Sequence, residues 1–249
     1  MSGWLAVAGL GPGDAALITP EVRETLAEAS DLLGYGPYVA RVAARPGLAI
    51  HPSDNREELA RARHGLALAA AGARAVLVCS GDPGVFAMAA AVCEAIETGP
   101  PEWAALDLRI LPGITAMLAA SARAGAPLGH DFCAINLSDN LKPWPLLARR
   151  LALAAEADFA IALYNPRSRA RPDTLDRAFD LLRGAVGGAR PVLFARALYS
   201  AEERLEIVAL AEARGAMADM RTLVLIGSSR TRLVPRPRGA LLYTPRSAA

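Results

Sequence analysis

Asp14 and Asp82 are the acids whose settings point to chemistry. Asp14 closes the run Gly9-Leu10-Gly11-Pro12-Gly13-Asp14, and Asp82 stands inside Ser80-Gly81-Asp82-Pro83-Gly84. A glycine-rich turn after a strand commonly cradles a nucleotide phosphate, and an acid in that place would repel one. No Gly-Lys-Ser/Thr follows either loop, so a phosphate-cradling NTPase loop is excluded. Gly9 and Gly11 fit the first two glycines of the dinucleotide fingerprint, but Asp14 occupies the third. No acid ends a second strand about twenty residues on to hold a ribose. Loops with carboxylates and no lysine suit a ligand that carries an amine or a sulfonium. S-adenosylmethionine is such a ligand. Its ammonium and hydroxyls seek carboxylates and backbone carbonyls, and its adenine seeks an apolar slot.

Two stretches of the second half are also chemically suggestive. Ser138-Asp139-Asn140-Leu141-Lys142-Pro143-Trp144 follows a strand, and Leu163-Tyr164-Asn165-Pro166-Arg167-Ser168-Arg169 ends the next one. Arg167, Arg169 and Arg171 could grip carboxylates, since guanidinium pairs with them bidentately. Nothing supports a metal centre or a protein nucleophile. His51, His64 and His130 are scattered without ligand spacing, Cys79, Cys93 and Cys133 read as small buried thiols, and Ser80 lacks a Gly-x-Ser-x-Gly setting.

The elements that must position these loops alternate between strand and helix. Trp4–Ala8 reads as an apolar strand. Thr19-Pro20-Glu21 opens a helix with a capping hydroxyl, a proline in the first turn and an early acid. Asp31–Leu33, Arg74–Cys79 and Asp107–Leu111 read as further strands, with helices over Glu57–Ala71 and Val85–Glu97. Loops 9–14, 80–84 and 112–115 each follow a strand's carboxyl end, where open α/β sheets bind ligands. Beyond Pro127, strands over Phe132–Asn136, Asp158–Tyr164 and Pro191–Ala197 enclose helices over Pro145–Ala155 and Asp173–Arg183. Leu205–Val208, Thr222–Ile226 and Ala240–Tyr243 are later strands without long helices between them all, which predicts a mixed sheet with antiparallel pairs. The pattern is two α/β domains. The net charge of +2 argues against a nucleic-acid partner. No apolar run suits a membrane span and the N-terminus reads as a strand rather than a secretion signal, so a cytoplasmic protein is expected.

In this order, GLGPGD (9–14), SGDPGVF (80–86), PGITA (112–116), LYNP (163–166) and LVLIGSS (223–229) resemble the tetrapyrrole (precorrin) methyltransferase family over nearly the whole chain. Gly34-Tyr35-Gly36-Pro37-Tyr38, the segment 129–144 and ALYNPRSR (162–169) resemble the subgroup that methylates C17 of the macrocycle with ring contraction. The resemblance implies a two-domain tetrapyrrole-methylase fold and commonly a homodimer. The N-terminal domain (1–115) would have a parallel sheet and the C-terminal domain (116–249) a mixed one, with the active site in the cleft between them. S-adenosylmethionine would contact Pro12, Ser80, Gly81, Asp82, Val85, Thr115 and Ala116, with Tyr164, Asn165, Arg196 and Ala197 completing its site. Gly11, Gly13, Arg41, Arg167 and Arg169 would face the polycarboxylate macrocycle. Asp14, Asp139 and His130 would be the candidate general bases for ring contraction, Asp14 first among them because a loop acid beside a cleft has access. This chain has Asn165-Pro166 where many members carry Met-Gly, and Ala197 where relatives often carry glycine. A cobalt-containing substrate of the same kind, methylation of another tetrapyrrole position, a nicotinamide-dependent oxidoreductase and a non-catalytic nucleotide-binding module are the alternatives.

Overall fold

Strand β1 (Trp4–Gly9) is buried at every residue, as a strand in the middle of a parallel sheet covered on both faces must be. In the computed structural model, which describes residues 3–54, 57–138, 140, 142–237 and 239–247, the chain divides into two compact units, Met1–Thr115 and Ala116–Ala249.

In the first unit β1 is followed by α1 (Pro20–Glu28), β2 (Asp31–Tyr35), α2 (Gly36–Val39), β3 (Ala49–Ser53), α3 (Glu58–Ala70), β4 (Arg74–Cys79), α4 (Met88–Glu97) and β5 (Asp107–Leu111). The sheet order is β3-β2-β4-β1-β5 and every pairing is parallel. Alternation along the strands divides the core in two. Leu5, Val7 and Leu77 pack with Leu66 and Val92 on one face, while Trp4, Ala6 and Val76 pack with Val22 on the other. Thr19 caps α1, its hydroxyl accepting from the Val22 amide at 3.3 Å.

The second unit holds α5 (Ala116–Ala124), β6 (Gly125–Ala126), β7 (Phe132–Asn136), α6 (Trp144–Glu156), β8 (Ala160–Tyr164), α7 (Thr174–Val186), β9 (Pro191–Arg196), β10 (Arg204–Ala209), β11 (Thr222–Ile226), β12 (Arg232–Val234) and β13 (Leu241–Tyr243). Its main sheet runs β10-β9-β11-β8-β7. The β7–β8 pair is parallel, and the pairs through β11 and β10 are antiparallel. A small sheet, β12-β13-β6, stands beside it. The fold is thus α/β, with a parallel sheet in the first unit and a mixed sheet in the second.

Several elements depart from the sequence reading, among them the short pieces α2, β6 and β12, which it did not mark. β3 carries Pro52 and pairs with β2 only, the edge position where a missing amide donor is tolerated. Helix α4 begins at Met88 rather than Val85, because Phe86 has a left-handed backbone (φ 53°) that no helix can contain. Strand β2 continues to Tyr35, two residues past its expected end. Among the described residues no helix is long and apolar enough to cross a membrane.

Candidate active site

Because β4, β1 and β5 are neighbours and point the same way, the loops that follow them meet at one edge of the first sheet. They meet through backbone. Gly11 and Gly81 exchange hydrogen bonds, amide to carbonyl, at 3.2 and 3.0 Å, with φ of 66° and 69°. A Cβ on Gly9 would stand 2.5 Å from the Gly81 carbonyl oxygen, and one on Gly113 would strike the same atom. These glycines let three loops touch.

Asp82 fastens the contact. Its Oδ1 accepts from the Gly84 amide at 2.8 Å and its Oδ2 from the Gly113 amide at 3.1 Å. One carboxylate therefore ties the loop after β4 to the loop after β5. The Ser80 hydroxyl lies 3.5 Å from the Gly11 carbonyl, and Thr115 is buried at the end of the third loop. Asp14 is exposed and caps a short 3-10 turn, Ala15–Leu17, accepting from the Ala16 amide at 2.8 Å through one oxygen. The other oxygen has no hydrogen bond among the described residues.

Arg41, expected to face the macrocycle, is engaged by the backbone of the glycine loop. Its guanidinium donates to the carbonyls of Leu10 (2.6 Å), Gly11 (3.2 Å) and Gly13 (3.2 Å), bracing the glycine loop from behind. Burial pulls its pKa down, and the nearby Tyr38 and Cys79 oppose that. An arginine still holds its charge there, so the loop rests on a half-buried cation that has no carboxylate partner in an ion pair among the described residues. Beside it, burial pushes the Cys79 thiol up to about 12, which keeps it protonated and inert.

In the second unit the carboxyl ends of β7, β8 and β9 share one edge, since β9 runs with β8 across the antiparallel β11. The Tyr164 hydroxyl accepts from the Met117 amide at 3.0 Å, at the start of α5. Asn165 donates through Nδ2 to Asn136 Oδ1 at 3.1 Å, and the same oxygen accepts from the Ser138 amide at 2.9 Å. Arg171 donates to the carbonyls of Leu137 and Asn165 at 3.1 and 3.3 Å, so it closes this turn. Arg167 donates to the Pro172 carbonyl at 3.0 Å, and Arg169 is exposed. Arg196 is held by Asp219 at 2.8 Å and Glu202 at 3.4 Å; the hydrogen bond to Asp219 raises its pKa. The Ala197 amide donates to the Arg221 carbonyl at 2.9 Å. Pro12, Gly13 and Val85 are half-buried, and Ala116 opens α5.

Backbone strain marks the same turns. Among the described residues, the non-glycine residues with left-handed φ are Phe86, Asp158, Asn165, Ala197 and Tyr199. Phe86, Asn165 and Ala197 lie in the turns after β4, β8 and β9, where strain of this kind gathers at working sites.

His130 does not join these turns. It precedes β7, at the opposite edge of the second sheet, with Nδ1 3.7 Å from Asp131. It stands before β7, whereas Asn165 follows β8, so within this unit the two lie at opposite ends of neighbouring parallel strands. Asp139 lies outside the described residues. Two clefts of about 320 Å³ open at His130's edge, one lined by Arg190, Ser228 and Thr231, the other by His130, Asp158 and Ser229. Among the described residues no group of three or more His, Cys, Asp or Glu could hold a metal ion. The sequence reading passed over Asn136 and Phe86. A lone polar residue closing the apolar strand Phe132–Ile135 was the available signal for the first. For the second there was none, because a left-handed backbone at phenylalanine has no local sequence signature.

Comparison with known proteins agrees with this architecture. Residues 5–214 match the family model described as Tetrapyrrole (Corrin/Porphyrin) Methylases. The chain is 56% identical over 247 residues to a precorrin-3B C(17)-methyltransferase from Sinorhizobium sp, covering 99% of this chain and 97% of that protein. It is 37% identical over 243 residues to a probable cobalt-factor III C(17)-methyltransferase from Salmonella typhimurium, covering 97% and 98%. The crystal structure of the methyltransferase CobJ superposes with a TM-score of 0.94 at 58% identity, covering 98% of this chain and all of that one. With its loops, sheets and most of its length in common with these proteins, the chain belongs to the tetrapyrrole methylase family.

Proposed function

We propose that this protein methylates C17 of precorrin-3B, using S-adenosylmethionine, with contraction of the macrocycle to precorrin-4 in cobalamin biosynthesis. The observation that carries the proposal is the near-full-length match to the Sinorhizobium enzyme. The higher identity to that protein than to the cobalt-factor III relative favours the metal-free substrate. The first unit's loops fit the donor chemically. They offer carbonyls, the Ser80 hydroxyl and the Asp82 carboxylate, and the Arg41 guanidinium is turned onto carbonyls. That setting favours a cationic ligand over a polyphosphate, which disfavours the nicotinamide alternative.

When bound, S-adenosylmethionine supplies an electrophilic methyl group on a good leaving group, and the reduced macrocycle supplies a nucleophilic carbon. The protein's contribution is alignment and exclusion of water, which in favourable systems is worth about 7–11 kcal/mol. Pro12, Ser80, Gly81, Asp82, Val85 and Thr115 of the first unit and Ala116, Tyr164, Asn165, Arg196 and Ala197 of the second are assigned to the donor. Gly11, Gly13, Arg167 and Arg169 are assigned to the macrocycle, and Arg41 acts on it through the loop. Ring contraction needs a base for the substrate's tertiary hydroxyl, and Asp14, exposed in the glycine loop with one carboxylate oxygen to spare, is assigned that proton. A cytoplasmic homodimer belongs to the same reading.

The test is incubation with labelled methyl donor and precorrin-3B, with cobalt-factor III in a parallel arm, reading product mass and absorption spectrum. Gain of one labelled methyl and a changed chromophore with precorrin-3B is expected; an unchanged chromophore defeats the proposal. Asp14→Asn keeps an N-cap acceptor, so the fold persists. Contraction should slow by about 10²-fold or more if Asp14 is the base, and contraction at the parent rate sinks that assignment.

A further inference from the structure

The turn after β9 is held in a shape that its own residues resist. Ala197 and Tyr199 both have left-handed backbones, at φ 48° and 56°, a region that is costly for a residue with a Cβ. Two such residues so close together persist only where their surroundings hold them. At Tyr199 the holding group is Glu203. Its Oε2 accepts from the Tyr199 amide at 2.6 Å and from Arg123 Nε at 3.1 Å. The Arg123 guanidinium also lies 3.9 Å from the centre of the Tyr199 ring, so it covers the ring while it pairs with the carboxylate. Ser200 closes the turn from within, its hydroxyl donating to the Ala197 carbonyl at 2.7 Å.

Arg123 joins this turn to a second one. It stands in the last turn of α5, and at the start of the same helix the Met117 amide donates to the hydroxyl of Tyr164, which ends β8. One helix of nine residues thus reaches the turn after β8 with its first turn and the turn after β9 with its last. An exposed ion pair adds little to stability, and the Arg123 and Glu203 side chains are 41% and 23% exposed. Holding a strained turn in place is a use that does not depend on stability. We propose that Glu203, oriented by Arg123, is a positioning residue for the methyl donor, fixing the turn at Ala197 relative to the turn at Tyr164. This rests on the assignment of Tyr164, Arg196 and Ala197 to S-adenosylmethionine above, in which neither Glu203 nor Arg123 figures.

The full-length protein and its Glu203→Ala, Glu203→Gln and Arg123→Ala variants test this through thermal midpoint, S-adenosylhomocysteine affinity by calorimetry, and steady-state kinetics with precorrin-3B. Glu203→Ala should weaken S-adenosylhomocysteine about tenfold and raise KM for S-adenosylmethionine by a similar factor, with kcat and KM for precorrin-3B within about threefold of the parent. Arg123→Ala leaves the carboxylate on the Tyr199 amide and should weaken S-adenosylhomocysteine about threefold. Glu203→Gln keeps an oxygen that accepts from that amide and should lose no more than Arg123→Ala does. Midpoints should fall by no more than about 4 °C, the scale of an exposed pair in a chain of this length. Affinity within about twofold of the parent in Glu203→Ala overturns the proposal, whatever the midpoint does. So does a Glu203→Gln variant as weak as Glu203→Ala, and so does an equal rise in KM for both substrates, the mark of a general structural role. If Glu203→Ala does not fold, Arg123→Ala decides, and the parent's affinity in that variant overturns the proposal. A parent that binds no S-adenosylhomocysteine takes the functional reading and this inference down together. A parent that binds it but turns over no precorrin-3B loses the functional reading alone, and calorimetry on the variants still decides this one.

Discussion

Asp82 joins two loops with one carboxylate, and its geometry gives a sharp expectation. Each oxygen accepts from a backbone amide, Gly84 at 2.8 Å and Gly113 at 3.1 Å. Asparagine is nearly isosteric but turns one acceptor into a donor, which would then face an amide. Asp82→Asn should therefore lower stability by about 1–3 kcal/mol and weaken S-adenosylhomocysteine binding, and Asp82→Ala, which removes both acceptors, should lower it at least as much. Urea denaturation and calorimetry on the same preparations check this; an asparagine variant as stable as the parent would show that the tie between the loops contributes nothing. The residue was legible as important from the sequence, but as a partner for a cation. Its attachment to Gly113, thirty-one positions away, depends on β5 lying beside β1, which no local pattern encodes. The bracing of the glycine loop by Arg41 was hidden for the same reason: a guanidinium in the sequence carries no mark of the distant carbonyls it will meet.

At the scale of elements, the sequence was most readable where strands are central. β1 and β4 carry unbroken apolar runs that lead into glycine or serine, and the loops after them could be named in advance. The edge strand β3 was invisible, because Ala49-Ile50-His51-Pro52-Ser53 has neither alternation nor an apolar run, and pairing with β2 is what makes it a strand. The start of α4 was misplaced because Val85 and Phe86 continue the apolar pattern that the backbone breaks. A further element-scale link lies at the far edge of the second sheet. Asp158, just before β8, accepts from the Ser229 amide (2.8 Å) and hydroxyl (2.6 Å) and pairs with Arg190 (2.7 Å), so it binds the entry of β8 to the segment after β11 and the entry of β9. Burial pushes its pKa up, but the Ser229 donors and Arg190 prevail and hold it below the ordinary carboxylate value. A carboxyl with a depressed folded-state pKa stabilises the fold above its unfolded value of about 3.9 and loses that contribution as pH falls through the folded one. Asp158→Asn should be less stable than the parent at pH 7, and the two should converge below about pH 4. Chemical denaturation at stepped pH checks this, and a constant gap between the curves would contradict it.

For the whole molecule, the decisive property is which small molecule the native state prefers. A ligand that binds only the folded chain stabilises it by about 2.7 kcal/mol at a hundred times its dissociation constant. S-adenosylhomocysteine should raise the thermal midpoint in a concentration-dependent way, and NADH should leave it unchanged. The reverse pattern would overturn the methyltransferase assignment at once, without any need for the labile tetrapyrrole.

The closeness of Gly9, Gly81 and Gly113 also bears on how such an enzyme can be redesigned. Where main chains pack against each other there is no side chain to exchange, and the Gly81 carbonyl leaves no room for even a methyl group on either neighbour. A library randomised at positions 9 and 113 should return glycine alone from any selection for folded protein. Variation that alters substrate choice has to enter farther out on the same loops, at Pro12–Asp14 and Val85–Phe86, where the chain has left the crowded junction and side chains have space to differ.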